Sequence, residues 1–248
     1  ALVNIYGQVV GINTWIASPS GGSIGIGFAI PINNAKDVVE QLIRSGKVEY
    51  GWLGITVGEA SDAMRDDLEL GVIGGGFVYG IVENSPAQKA GILAGDFITR
   101  IGDEIIDDRD ELMVTVGNLA PGTVLDFEII RDGMDLTASV TLAVRDDERI
   151  ENRADKIWPG FYPVAITDQI RQQLNTNKDA GYIVIGSVDP GSAAEEAGLR
   201  RGDIISTVNG KEIKTFDDLY EETNNLEVKS FSLEIHRNEE ELTLNYKR

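Results

Sequence analysis

The sequence predicts a mainly β fold with added helices, in the α+β class, in which one module is used twice. The segments 85–96 and 192–203 both read Ser-x-Ala-x-x-Ala-Gly-aliphatic-x-x-Gly-Asp, at a spacing of 107 residues. In each module a run rich in Ile or Val follows the aspartate, at 97–101 and 204–208. A short alanine-containing helix, a glycine turn and a buried strand therefore recur.

The first 48 residues predict a hairpin followed by a helix. Residues 8–16 and 23–30 are rich in Val and Ile, and they flank the turn-forming segment 18–22. From Asn33 onward, apolar residues recur at helical spacing, and Gly46 is placed to end the helix. Because an isolated hairpin is marginally stable in water, we expect this fragment to have lost a packing partner.

The two modules are predicted at 49–146 and 157–248. The first ends in two strands, 124–131 and 136–144, joined by an Asp-Gly pair at 132–133 that is a strong hairpin signal. The segment 147–156 between the modules begins with charged residues and predicts a solvated linker.

Composition excludes several classes of function. The formal net charge of -19 disfavours nucleic acid and anionic membrane surfaces as partners, and no apolar run is long enough to span a bilayer. There are no cysteines, so disulfide and thiolate chemistry are excluded. The glycine-rich and acidic clusters lack the spacing of phosphate or calcium loops, so we expect no cofactor and no metal. Ala1 opens directly on an apolar strand, without the pattern of a secretory signal.

The repeated segment resembles the PDZ domain, in the tandem arrangement of bacterial HtrA/Deg serine proteases. Before the first module, the segments 1–4, 11–14 and 23–31 resemble the end of that family's trypsin-like domain. The resemblance implies two PDZ domains, each a small, partly open β-barrel with flanking helices, preceded at 1–48 by a C-terminal remnant of a trypsin-like β-barrel. It also implies a location in the periplasm or cell envelope.

The resemblance places no catalytic residue in this chain. A serine protease needs a nucleophile, a base and a group that orients the base. The single histidine, His236, falls in a strand of the second module, and Ser20 falls in a loop later than the family's nucleophile motif. The family's triad would lie before Ala1, so this chain alone is expected to be inactive.

A peptide-binding site is expected in the first module. The resemblance matches residues 51–55 to the family's carboxylate-binding loop, whose clustered backbone N–H groups receive a terminal carboxylate. An extended peptide would add to the following strand edge, and its last side chain would enter an apolar pocket beside a helix. The predicted site residues are Gly51, Trp52, Leu53, Gly54, Ile55, Thr56, Val57, Leu112 and Val116.

The same apolar residues have a plainer interpretation. Leu53, Ile55, Leu112 and Val116 would also appear as core residues of any amphipathic helix packed on a sheet. Many family members carry a basic residue just before the first loop glycine, and this chain has Tyr50 there. Help from a cation at that position is therefore not expected.

The second module is expected to bind peptide more weakly, with its groove altered or closed. Its loop position reads Trp-Pro-Gly-Phe-Tyr at 158–162, and Pro163 removes a donor from the strand with which a peptide must pair. The candidate residues of this weaker site are Gly160, Phe161, Tyr162, Leu219 and Thr223.

These observations predict the peptide-binding region of an HtrA/Deg-type serine endopeptidase. The modules would capture C-terminal or unfolded peptide segments for protein quality control, and the further partners would be other subunits of the protease. The alternative is a tandem PDZ adaptor without any protease. A Gly-Asn-Ser-Gly-Gly sequence directly before Ala1 would favour the protease, and an unrelated sequence would favour the adaptor. An autonomous enzyme of another class has no supporting motif.

Overall fold

The computed structural model describes residues 1–18, 22, 24–146, 156–176, 181–238 and 240–247, with the main chain alone at Asp37 and Tyr246. It divides into two compact units, Ala1–Tyr50 and Gly51–Arg248. The predicted linker at 147–156 lies outside the described residues except for Lys156, and so do Ser20 and most of the turn at 18–22. Strands make up 39% and helices 23%, so the predicted mainly β class is confirmed.

The first unit holds the predicted hairpin and helix. Strands β1 (Leu2–Val3), β2 (Val9–Ile16) and β3 (Gly27–Pro31) form an antiparallel sheet, and α1 spans Ile32–Ser45. Gly46 ends α1 in the left-handed conformation, with its N–H donating to the Leu42 carbonyl at 2.9 Å. Many large apolar side chains of this unit are exposed, among them Trp15 at 60%. The expectation that this fragment has lost a packing partner stays a prediction.

The first module of the second unit has a large antiparallel sheet, a separate antiparallel pair formed by its first and last strands, and three flanking helices. Its strands are β4 (Gly51–Trp52), β5 (Ile55–Gly58), β6 (Gly76–Val82), β7 (Phe97–Ile101), β8 (Glu104–Ile105), β9 (Val124–Arg131), β10 (Met134–Thr141) and β11 (Ala143–Val144). Its helices are α2 (Asp62–Asp67), α3 (Pro86–Lys89) and α4 (Arg109–Asn118). The predicted turn between β9 and β10 has positive φ at both Asp132 and Gly133, as a two-residue hairpin of this type requires.

The second module repeats this plan. Its strands are β12 (Ile157–Trp158), β13 (Phe161–Ala165), β14 (Ile183–Val188), β15 (Ile204–Val208), β16 (Lys211–Glu212), β17 (Ser230–Arg237) and β18 (Glu240–Lys247). Its helices are α5 (Asp168–Gln173), α6 (Ala193–Glu196) and α7 (Phe216–Asn224). The main sheets run in the orders β10-β9-β7-β6-β12 and β13-β14-β15-β17-β18, and no closed barrel forms among the described residues.

The two modules share a sheet and a core. Strand β12, which the sequence assigned to the second module, pairs antiparallel with β6 of the first. A single cluster of buried apolar residues joins both modules, and within it the Phe77 and Tyr220 rings lie 5.7 Å apart. Two polar contacts cross the same boundary: Phe216 N–H donates to Asp67 at 3.0 Å, and the Asn224 amide donates to the Ala94 carbonyl at 2.7 Å.

The aspartate that ends each repeated segment forms a buried ion pair. In the first module, Asp96 is fully buried and receives Arg131 Nε at 2.6 Å and Nη2 at 2.8 Å. Arg131 also donates to the Gly91 carbonyl at 2.8 Å, and Leu93 N–H donates to Asp96 at 2.8 Å. The hydrogen-bonded Asp96 raises the pKa of the Arg131 guanidinium. The pair therefore fastens the glycine turn to the end of β9.

The second module has the same ion pair. Arg237 Nε donates to Asp203 at 2.6 Å, its Nη2 donates to Asp203 and to the Gly198 carbonyl at 2.7 Å, and Arg200 N–H completes the set at 2.7 Å. The sequence pattern identified the aspartate of each repeat, whereas the arginine partner lies too far along the chain for the repeated segment to reveal it.

We predict that Asp96→Asn lowers the free energy of unfolding of the chain by about 3 kcal/mol. The substitution removes the charge that Arg131 faces and places an N–H donor where the guanidinium also donates. Urea unfolding followed by tryptophan fluorescence measures the change. The matched control is the exposed Asp135→Asn in β10, which is expected to stay within about 0.5 kcal/mol of the parent. Equal losses in both variants would contradict the structural role of the pair.

Candidate functional site

A cleft of about 500 Å³ opens in the first module between β5 and α4. All nine residues predicted for the first site line this cleft. Its other lining residues are Val82, Arg109, Met113, Gly117, Arg145, Ile157, Tyr162 and Pro190. The predicted residues therefore lie together around one concave surface, which a site for an extended peptide requires.

The loop between β4 and β5 presents two free backbone donors to this cleft. Within the described residues, neither Leu53 N–H nor Gly54 N–H has a hydrogen-bond acceptor. The carbonyls of the same two residues are engaged: Leu53 O accepts from Ala87 N–H at 2.9 Å, and Gly54 O accepts from Val82 N–H at 2.9 Å. The loop is thus anchored through its acceptors, and its adjacent donors stay available to an anion.

The loop has this conformation because position 54 is glycine. Gly54 has φ of +82°, and a Cβ added to it would lie 2.2 Å from the Ser85 Cβ. Ser85 begins α3, and its hydroxyl accepts from Gln88 N–H at 3.1 Å. A larger residue at 54 would both strain the backbone and collide with the start of this helix. The repeated segment and the loop therefore fit against each other.

Strand β5 offers a free edge beside the loop. Among the described residues it pairs only with β6, so its opposite edge can receive an extended chain. Ile55 and Val57 on this strand pack against the core of the first module, as do Leu112 and Val116 of α4. These four residues are therefore core residues, as the alternative interpretation of the sequence expected. The same four residues also line the cleft.

The charges at the cleft differ in sign from those of the chain as a whole. Arg109 and Arg145 line it, and no Asp or Glu is found among its described lining residues. Arg109 Nε donates to Asp110 Oδ1 at 3.1 Å, so an ion pair already neutralises part of this positive charge.

Four of the five residues predicted for the weaker site of the second module are buried, namely Gly160, Phe161, Leu219 and Thr223. The Trp158 indole Nε1 donates to the Thr223 carbonyl at 3.0 Å. Trp158 thus packs against α7, whereas the corresponding Trp52 is half-buried and lines the cleft of the first module. At the position that matches Leu53 stands Pro159, which has no N–H to offer. Gly160 keeps the tight approach, with an added Cβ at 2.3 Å from the Ser192 Cβ.

The sequence did not predict that Tyr162 lies at the cleft of the first module. It was assigned to the weaker second site, yet it lines the cleft of the first module, with its ring 5.0 Å from that of Tyr79. Burial raises the pKa of Tyr162, and the nearby Asp189 carboxylate adds to the shift. Burial also raises the pKa of Tyr79 to about 12. Both phenols are therefore neutral at physiological pH.

His236 lies in β17, where it is half-buried and paired in register with Ile204 and Glu241. No cluster of three or more His, Cys, Asp or Glu suited to a metal is found in the described part of the chain. Over the same part, no helix is long and apolar enough to cross a membrane.

The two modules match known protein families. One PDZ-domain family model matches residues 51–142, and a second matches residues 184–237. Among solved structures, the HtrA-type protease AlgW with tripeptide is similar with a TM-score of 0.51 and 36% identity, over 59% of this chain and 48% of that one.

Curated relatives extend the similarity beyond the modules. The chain is 36% identical over 216 residues to the probable periplasmic serine endoprotease DegP-like of Brucella suis biovar 1, covering 87% of this chain and 42% of that protein. It is 34% identical over 219 residues to the periplasmic serine endoprotease DegP of Escherichia coli, covering 88% of this chain and 44% of that protein. The chain spans less than half the length of these relatives. Together with the two PDZ matches, this similarity shows that the chain carries PDZ domains and corresponds to the C-terminal PDZ portion of HtrA/DegP-like proteins.

Proposed function

We propose that the first PDZ module captures the C-terminal end of a peptide or unfolded protein in the cleft between β5 and α4. The observation that carries this proposal is the pair of free amides at Leu53 and Gly54, placed at one end of an open strand edge and an apolar cleft. Two adjacent N–H groups without acceptors among the described residues suit the two oxygens of a carboxylate.

The bound peptide is expected to extend the sheet. Its carboxylate accepts hydrogen bonds from the two loop amides, and its main chain pairs antiparallel with the free edge of β5. Its last side chain then enters the apolar space lined by Ile55, Leu112 and Val116. Apolar burial supplies affinity there, while the main-chain bonds fix the register of the peptide without regard to its sequence.

Within the family, this capture belongs to a larger proteolytic protein. We propose that the chain is the peptide-binding, regulatory region of an HtrA-type serine endopeptidase in protein quality control, with residues 1–48 belonging to its trypsin-like domain and other protease subunits as partners. The similarity to serine endoproteases over 87% of the chain favours this over an adaptor without a protease. The relatives are named periplasmic, and the chain is assigned to the periplasm or cell envelope accordingly.

We predict that an apolar-ended decapeptide loses at least about tenfold in affinity for the chain when its C-terminal carboxylate becomes a carboxamide. The change removes a charge-assisted hydrogen bond, worth about 1.5–3 kcal/mol. Isothermal titration calorimetry gives both dissociation constants. Acetylating the peptide N-terminus is the control and is expected to leave the affinity unchanged. If acid and amide bind alike, the loop amides do not receive the carboxylate.

We predict that Val116→Thr weakens binding of the same peptide about three- to tenfold, because it places a hydroxyl on the apolar wall of the cleft. The substitution gives the first module the residue that the second has at Thr223. The reciprocal Thr223→Val is the matched control, and it is expected to leave affinity unchanged because the Thr223 side chain is buried and does not line the cleft of the first module. Peptide binding is followed by fluorescence anisotropy. A larger effect from Thr223→Val would place the site in the second module.

A further inference from the structure

The peptide cleft of the first module has a wall that comes from the second. Ile157, Tyr162 and Pro190 all line it, although each follows the predicted linker in sequence. Ile157 and Tyr162 are half-buried and Pro190 is exposed. A cleft built by a lone PDZ module would be open to solvent on this side.

The wall formed by Ile157, Tyr162 and Pro190 lies on the side of β5 that faces away from the core of the first module. Side chains alternate along a strand, so Thr56 points away from the core that holds Ile55 and Val57. A Cβ added at Gly80, which pairs with Thr56, would lie 2.7 Å from Thr56 Oγ1 and 2.9 Å from the Ile157 Cγ2 atom. Thr56 and Ile157 therefore share this face.

Register decides which peptide residue meets this wall. With the carboxylate at the Leu53 and Gly54 amides, an antiparallel peptide places its last residue opposite Ile55 and its penultimate residue opposite Thr56. Directly opposed residues of an antiparallel pair point to the same face. The last side chain thus enters the cleft beside α4, and the penultimate side chain turns toward Ile157, Tyr162 and Pro190.

The wall is held in place by the packing of the modules. Strand β12 carries Ile157 and pairs with β6, with Ile157 opposite Val82. The Glu83 N–H also donates to the Lys156 carbonyl at 2.8 Å. The Tyr162 ring lies against Tyr79 of the first module. A bound peptide therefore meets an ordered surface, and no rearrangement is needed to form it.

We propose that the second module serves as a specificity element of the first, with Ile157, Tyr162 and Pro190 forming a subsite for a large apolar or aromatic penultimate side chain. This inference rests on the proposed capture of C-terminal peptides. The subsite presents a phenol ring, a proline ring and an aliphatic side chain, which suit an aromatic or branched partner. It also gives the second module a role in binding, although Pro159 lacks the amide that a second carboxylate site would need.

The test measures the intact chain against two decapeptides that share an apolar last residue and differ only at the penultimate one, Phe or Gly. The parent chain is expected to bind the Phe peptide about five- to tenfold more tightly. In Tyr162→Ala this ratio falls to about one, while affinity for the Gly peptide stays the same. Tyr182→Ala, an exposed tyrosine of the same module that does not line the cleft, keeps the parent ratio.

Two further variants distinguish the loss of a contact in the subsite from a loss of folded structure. Tyr162→Phe keeps the ring and is expected to keep the preference, and Pro190→Ala, at an exposed position, is expected to reduce it. A parent chain without preference, an unchanged ratio in both Tyr162→Ala and Pro190→Ala, or an equal loss for the two peptides would overturn the subsite. Failure of the proposed capture looks different: neither peptide would then bind in a carboxylate-dependent way.

Discussion

The close approach of Gly54 to Ser85 is the constraint on which the binding loop depends. It places the loop against the start of α3, so that the Leu53 and Gly54 carbonyls meet backbone donors of the scaffold. The amides of the same residues are then left at the mouth of the cleft without acceptors among the described residues. The repeated segment and the loop are thus one structural unit, which the buried pair of Asp96 and Arg131 fastens to the sheet. Under the proposed function, these two amides receive the terminal carboxylate of a peptide.

The second module keeps the framework of this loop but differs at two of its positions. Gly160 packs against Ser192 and accepts from Asp189 N–H at 2.9 Å, just as Gly54 packs against Ser85 and accepts from Val82. The framework is retained, but Pro159 removes an amide and Trp158 turns inward to bond the Thr223 carbonyl. The module uses its surface differently: β12 joins the neighbouring sheet, and Tyr162 faces the neighbouring cleft. The cleft of the first module is therefore lined by residues of both modules.

Much of the fold follows from local sequence signals. The repeated segments, the Asp-Gly hairpin and the glycine that ends α1 are each set by a few neighbouring residues with one accessible conformation. The nine residues of the first site could be named because a resemblance linked the loop at 51–55 to a helix about 60 residues later. The arginine partners of Asp96 and Asp203 depend on pairings across the sheet, and no short pattern identifies them. The shared core and the position of Tyr162 depend on how the two modules pack together. The spacing of apolar residues within one module does not predict this packing.

Capture of a terminal carboxylate by the Leu53 and Gly54 amides would change the environment of both N–H groups. Titration of the isotope-labelled chain with an apolar-ended peptide, followed by amide proton and nitrogen shifts, measures that change. We expect saturable downfield shifts of the Leu53 and Gly54 amide protons, because a charged acceptor replaces solvent. The Gly160 amide, beside Pro159, is expected to move little. If the Leu53 and Gly54 signals do not move at saturation, or if the largest downfield shifts occur around Gly160, these two amides do not receive the carboxylate.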